Sequence, residues 1–182
     1  MNNIAKNRSW SRLAGRVAAA VAGIALASMV ATAAQAQASA TASATASVTI
    51  ADPITITKTA DLAFGTVVAS ASAGTVTVGT ANDRTATGGV SIDLGGTVTS
   101  AAYTVTGYGN SAYGIALPAS VSLTGPSGST PMTASSFVSS VGGSGSLTGG
   151  TGSFTVGATL NVGANQAAGA YTGSFDVIVD YN

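Results

Sequence analysis

Few side chains in this sequence could do chemistry. It contains no His and no Cys. That removes the usual general base, the Ser/His/Asp and Cys/His nucleophile arrangements and every zinc-ligand cluster. Six Asp remain, with no Glu beside them. Asp52, Asp61, Asp83 and Asp93 are scattered and match no calcium loop. Asp176 and Asp180 fall on one face of an alternating stretch. Four strand steps hold them about 13 Å apart, too far for one metal or one acid–base pair without other elements. Lys58 stands in a Thr-Lys-Thr context with no nucleophile motif nearby, as a solvated strand charge does. Gly88-Gly89 leads into no Lys-bearing helix start, so a phosphate cradle has no basis. Tyr103, Tyr108 and Tyr113 would suit a sugar-binding patch if exposed in one groove; on strands such residues more commonly form core or cross-strand pairs. The expectation is therefore no catalytic, cofactor-binding or metal-binding residue, and no enzymatic activity.

Charge and leader come next. Lys6, Arg8, Arg12 and Arg16 precede a small apolar run from Val17 to Ala34 and an Ala34-Gln35-Ala36 site. Basic, apolar and A-x-A segments in that order describe a secretory signal peptide over residues 1–36. The apolar run is long enough for an uncleaved membrane anchor, but its Ala content and the small residues at the site favour removal. No adjacent Arg pair points to a twin-arginine route, and the absence of Cys excludes a lipoprotein and any disulfide. Residues 37–182 then carry Lys58 and Arg84 against six Asp, a net charge of 2 − 6 = −4. Such a surface has no footprint for nucleic acid. The expected location is the periplasm, cell surface or extracellular space, with no membrane association after cleavage.

The remaining chain reads as strands. Tyr171, Phe175, Val177, Val179 and Tyr181 alternate with Thr172, Ser174, Asp176 and Asp180, which predicts a terminal strand with one apolar face. Phe154, Val156, Ala158, Leu160 and Val162 alternate in the same way, and the two are expected to form a hairpin. Shorter candidates lie around Asp61–Val67, Thr75–Val78, Val90–Leu94, Tyr103–Thr106, Tyr113–Leu117 and Val121–Thr124. Ser70–Gly74 reads as a turn, and Gly88-Gly89 as one bound of a loop that begins at Asn82-Asp83. Residues 131–152 are the least patterned, a Gly/Ser-rich surface loop pinned by Phe137-Val138. Between Ala38 and Ile50, Ala or β-branched apolar residues alternate strictly with Ser or Thr. The stretch is expected to be an Ala/Ser/Thr extension, residues 37–47, running into a first strand at Val48 and a domain over 48–182. About nine short strands without helical periodicity give an all-β sandwich or barrel.

Leu62-x-Phe64-Gly65, Val105-Thr106-Gly107, Tyr113-x-Ile115-x-Leu117-Pro118, Val156-Gly157-Ala158-Thr159-Leu160 and Gly169-x-Tyr171-Thr172-Gly173-x-Phe175 with Tyr181 near the end together resemble the bacterial domain-of-unknown-function family numbered 4402. The resemblance covers nearly all of the chain beyond the leader. It implies a small secreted protein of a Gram-negative bacterium with no established activity. More distantly the family is similar to pilin-like and spore-coat-U-like subunits. That likeness implies an immunoglobulin-like, pilin-like antiparallel β-sandwich. In such subunits an N-terminal extension of one molecule completes the sheet of its neighbour. The implied partners are copies of the chain, through terminal strands, and a periplasmic chaperone.

The leading expectation is thus a secreted structural or interaction protein, a fimbrial subunit of a surface fibre built by strand complementation. A self-contained β-sandwich, including a carbohydrate-binding adhesin, is the alternative. A small outer-membrane barrel fits less well: several strands span four or five residues where a crossing strand needs about 9–11. Five Tyr and four Phe are also few for two aromatic girdles.

Overall fold

A computed structural model describes residues 39–182. The expected signal peptide, residues 1–36, lies outside them. The chain divides into two units, Met1–Ala46 and Ser47–Asn182. Of the first, Ser39–Ala46 is described and is exposed, without secondary structure. The second unit carries every strand among the described residues.

That unit is all-β among the described residues, with every paired strand antiparallel. Seven strands form the large sheet: β1 (Thr55–Ala60), β3 (Val68–Val78), β4 (Arg84–Ser91), β6 (Ala101–Thr106), β8 (Ser120–Leu123), β9 (Met132–Ser139) and β11 (Thr151–Val162). A second sheet holds β10 (Ser144–Ser146), β7 (Ala112–Ala116) and β12 (Ile178–Tyr181), and β2 (Ala63–Phe64) pairs with β5 (Val98–Thr99). Among the described residues the sheets are open and separate and form no closed ring, so the sandwich expectation holds.

β11 is central. Phe154, Val156, Ala158, Leu160 and Val162 are all buried on its inner face, as their two-residue period requires. At Val156 its neighbours are Ala101 of β6 and Ser139 of β9; at Thr159 they are Thr77 of β3 and Ser135 of β9. β6 and β3 therefore follow one another along one edge of β11, and β9 takes the other. On exposed faces, Thr hydroxyls pair across strands, Thr55 with Thr106 and Thr75 with Thr87, each at 2.7 Å. Such pairs put the Thr-rich composition to use where side chains meet water.

Two apolar clusters result. In the first, Tyr113 and Leu147 pack on Tyr103, Val105, Phe154 and Val156, and Tyr103 stacks on Phe154 with centroids 5.4 Å apart. This is the closed part of the sandwich, three-stranded sheet on large sheet. The second cluster is built on Val76, Leu160 and Val162, with Phe64, Leu123 and Met132 beside them, and contains no residue of the three-stranded sheet. The large sheet is thus covered by a second sheet over one part of its inner face only.

Several expectations change. The first strand begins at Thr55, and Ser47–Ile54 carries none. Asp52-Pro53 explains the late start, since Pro has no N–H for a ladder. Ser70–Gly74 lies within β3, where register jumps from Ala69↔Val90 to Gly74↔Gly88. The small residues form a bulge there, and Gly88, at φ +68, continues β4. The loop expected over 131–152 is largely β9 and β10. β11 and the terminal strand are not a hairpin: β11 pairs with β6, β3 and β9, whereas β12 pairs with β7. Among the described residues twelve strands, from two to twelve residues long, replace about nine.

Arg84 ties the irregular edge together. Its guanidinium donates to the carbonyls of Phe64 (2.9 Å), Thr66 (3.3 Å), Gly95 (3.1 Å) and Ile92 (2.8 Å). A planar five-donor fork can serve several carbonyls at once, which a Lys ammonium cannot. Replacing it leaves those carbonyls to find water, at a cost of about 2 kcal/mol after allowing for partial exposure. We expect Arg84→Met to lower the urea-unfolding free energy by that amount, and Arg84→Lys to recover less than half. A loss below about 0.5 kcal/mol, within the range of ordinary surface changes, would show the hub to be dispensable.

Candidate functional site

Of the candidate groups named above, Asp61, Lys58 and Asp93 have local partners. Asp61 pairs with Lys58, and both side chains are largely exposed, a geometry that stabilises little. Asp93 accepts from the Ser91 hydroxyl at 2.6 Å. Asp176 and Asp180 are exposed. The three tyrosines do not form a groove. Tyr103 and Tyr113 are buried in the first cluster, and Tyr108 alone is exposed, at 44%. Burial, and then the charges of Asp61 and Asp176, raise the Tyr103 phenol above its ordinary 10.0. It stays protonated at physiological pH.

Two other features draw attention. The first is the segment leading into β1. Val48 and Ile50 are 86% and 88% exposed, two residues apart, on backbone with no strand partner among the described residues. Scattered apolar surface residues are ordinary. Two β-branched residues at strand spacing on an unpaired segment are a strand's inner face without a sheet.

That segment is anchored where it meets the domain. The Tyr181 hydroxyl donates to the Asp52 carbonyl (2.8 Å) and accepts from the Tyr108 N–H (2.6 Å). One phenol thus joins the terminal strand, the β6–β7 connection and the root of the extension. The space comes from Gly107, where a Cβ would stand 2.2 Å from that hydroxyl. The sequence displayed both partners, Gly107 in one motif and Tyr181 in another, but nothing in spacing links positions so far apart.

The second feature is a cavity of about 1080 Å3 over the uncovered part of the large sheet. Leu123, Met132, Phe137 and Leu160 line it from the sheet, with Leu62 and Phe64 on one side and Tyr171 and Phe175 on the other. Of these only Leu160 is fully buried. The far wall is the stretch that the alternation marked as terminal strand. Its side chains do alternate: Tyr171, Phe175, Val177, Val179 and Tyr181 are half-buried, while Thr172, Ser174, Asp176 and Asp180 are exposed. Its backbone is another matter. Thr172 bridges Thr124, Ile178–Tyr181 joins β7, and residues 173–177 between them belong to no ladder. Phe175 holds this strap down against Phe137, centroids 4.9 Å apart. A smaller cleft of about 360 Å3 opens where Val121 of β8 faces Ser174, Phe175 and Ile178. The cavity was not legible because its walls come from separate stretches, each of which reads as ordinary strand.

If Tyr181 anchors the root, Tyr181→Phe removes two hydrogen bonds and Gly107→Ala displaces the ring. We expect each to cost about 1 kcal/mol, and the pair to cost less than the sum because both break one contact. Protease cleavage should also extend from the extension into residues 52–54. Unchanged cleavage and full additivity would contradict the anchor.

Neither the curated proteins nor the solved structures gave a match to this chain. One family model does match, described as Domain of unknown function (DUF4402), over residues 54–181. That span begins at the root of β1 and ends at Tyr181, so it takes in the whole sandwich and omits the extension with Val48 and Ile50. The chain belongs to the DUF4402 family.

Proposed function

We propose that the protein is an exported, non-enzymatic subunit that assembles with copies of itself at the cell surface, in the manner of a pilin, by lending its N-terminal extension to a neighbour's sheet. The observation that carries this reading is the near-complete exposure of Val48 and Ile50 on an unpaired segment of strand-like pattern. Burying a Val or Ile side chain gains about 1.5–3 kcal/mol. A segment that joins a sheet edge adds main-chain hydrogen bonds to that gain, with alternate side chains seated in pockets. The extension carries no charge from Ala38 to Ala51, so burial requires no ion to be desolvated. The basic and apolar leader supports export through the general secretory route, after which a periplasmic chaperone would keep the exposed segment from premature pairing. The lack of His and Cys, and the local pairing of Asp61 and Asp93, support a non-enzymatic part.

The first strand starts at Thr55, so the segment to delete is Ser39–Ala51, which spares the Asp52 anchor. Native protein sheared from cells should run in SDS without boiling as a ladder of oligomers. Boiling should collapse the ladder, and the deletion should abolish it. A single unboiled monomer band, the same in the deletion, would mean a self-contained sandwich whose extension is a leader only.

A further inference from the structure

We infer that the acceptor for Ser47–Ala51 of a second copy is the cavity between the β2 side and the 171–175 strap, with Val48 and Ile50 entering among Phe64, Leu123, Met132 and Phe175. This rests on the self-assembly reading above and adds the site to it.

Three observations support the assignment. The cavity is lined by residues of both clusters, Tyr103, Phe137 and Phe175 of the first with Leu123, Met132 and Leu160 of the second, and by no residue of the three-stranded sheet, so most of these apolar side chains are only half-covered. At about 1080 Å3 it is at or above the upper end of small-molecule pockets. Its rim also offers backbone. β8 is an edge strand, bonded only to β9 along its length, and residues 173–177 belong to no ladder. An apolar small molecule would fill the cavity and leave those N–H and C=O groups to water. An extended peptide answers both.

The chain's own Ile50 cannot be the occupant. Asp52 is anchored beside Tyr108, at the Thr106 end of β6, where Thr55 begins β1. β1 runs from there toward the cavity, whose first β1 residue is Lys58, three strand steps or about 10 Å beyond Thr55. Ile50 is two residues before Asp52, a reach of about 7 Å even when fully extended. Seating Ile50 in its own cavity would need a reversal at Asp52-Pro53 and more chain than exists. A second copy has no such limit. Ser47–Ala51 and the cavity sit toward opposite ends of β1, so each molecule donates at one end and accepts at the other. Such a heterologous contact does not close on itself as a two-fold dimer does, and it grows a linear assembly.

The native chain has no Cys, so introduced pairs report alone. Full-length Ile50→Cys would be mixed with a tagged copy carrying Leu123→Cys or, separately, Met132→Cys, and oxidised. A tagged copy with Thr85→Cys on β4, outside the cavity, serves as control. Two acceptor variants guard against one that fails to fold, and a thermal melt of each checks this. Cross-linked heterodimer with either cavity variant and none with Thr85→Cys is the expected result. Ile50→Ser in the donor should weaken self-association at least about tenfold. If oligomers form but link equally well to Thr85→Cys, the cavity assignment is overturned while self-assembly stands. If no oligomer forms from the intact protein at any concentration, both fall. Linkage within a single chain carrying Ile50→Cys and Leu123→Cys at high dilution would overturn the second-copy requirement.

Discussion

The structure depends on the pairing of β11 along both edges. Its one edge accepts β6 and then β3, its other edge β9, and every second side chain from Phe154 to Val162 is buried. Without β11 the large sheet would fall into two hairpin-sized pieces, β1–β6 and β3–β4, and a detached β8–β9, none able to bury a face alone. Holding three strands on one creates a broad inner face. The sequence has few large apolar side chains to cover such a face, since Gly, Ala, Ser and Thr are most of its residues. The second sheet, built around Tyr113, covers what it can. The remainder is the cavity.

An incomplete sandwich and an exposed strand-like segment are two sides of one arrangement. The sheet has surface to bury and no strand for it; the extension has a strand's side chains and no sheet. The Tyr181 anchor keeps them apart within one molecule by fixing Asp52 at the end of β1 away from the cavity. On the proposed self-assembly, this leaves a molecule with both ends free before it meets a neighbour. Residues 173–177 fit the same view. They are held at Thr172 and by Phe175 but pair with nothing, so the strap can shift without breaking a ladder.

Much of this could be read from the sequence wherever one strand kept one phase. Phe154–Val162 and the facing of Tyr171–Tyr181 were legible because burial on one side imposes a strict two-residue period. β9 was not legible. Met132 and Ala134 face inward, then Ser136 takes a left-handed φ of 53° and the phase shifts, so that Phe137 turns inward instead. That bulge erases the alternation. Partner choice was also out of reach: Phe154–Val162 and the terminal strand have compatible patterns and adjoin in sequence, yet neither pairs with the other. Alternation reports which face is buried and says nothing of which neighbour is bonded. The site suffered most, since Leu62, Leu123, Phe137 and Phe175 come together only once the sheet order is known.

The central claim is that residues 47–51 are an unpaired strand that finds its sheet in another molecule. Hydrogen–deuterium exchange across a dilution series measures this directly. The account predicts fast exchange of the Ser47–Ala51 amides in dilute protein and protection that rises with concentration, in step with protection at Ser120–Leu123 and residues 173–177. Exchange of Ser47–Ala51 that stays fast at the highest concentration, or is already slow in the most dilute sample, would contradict it.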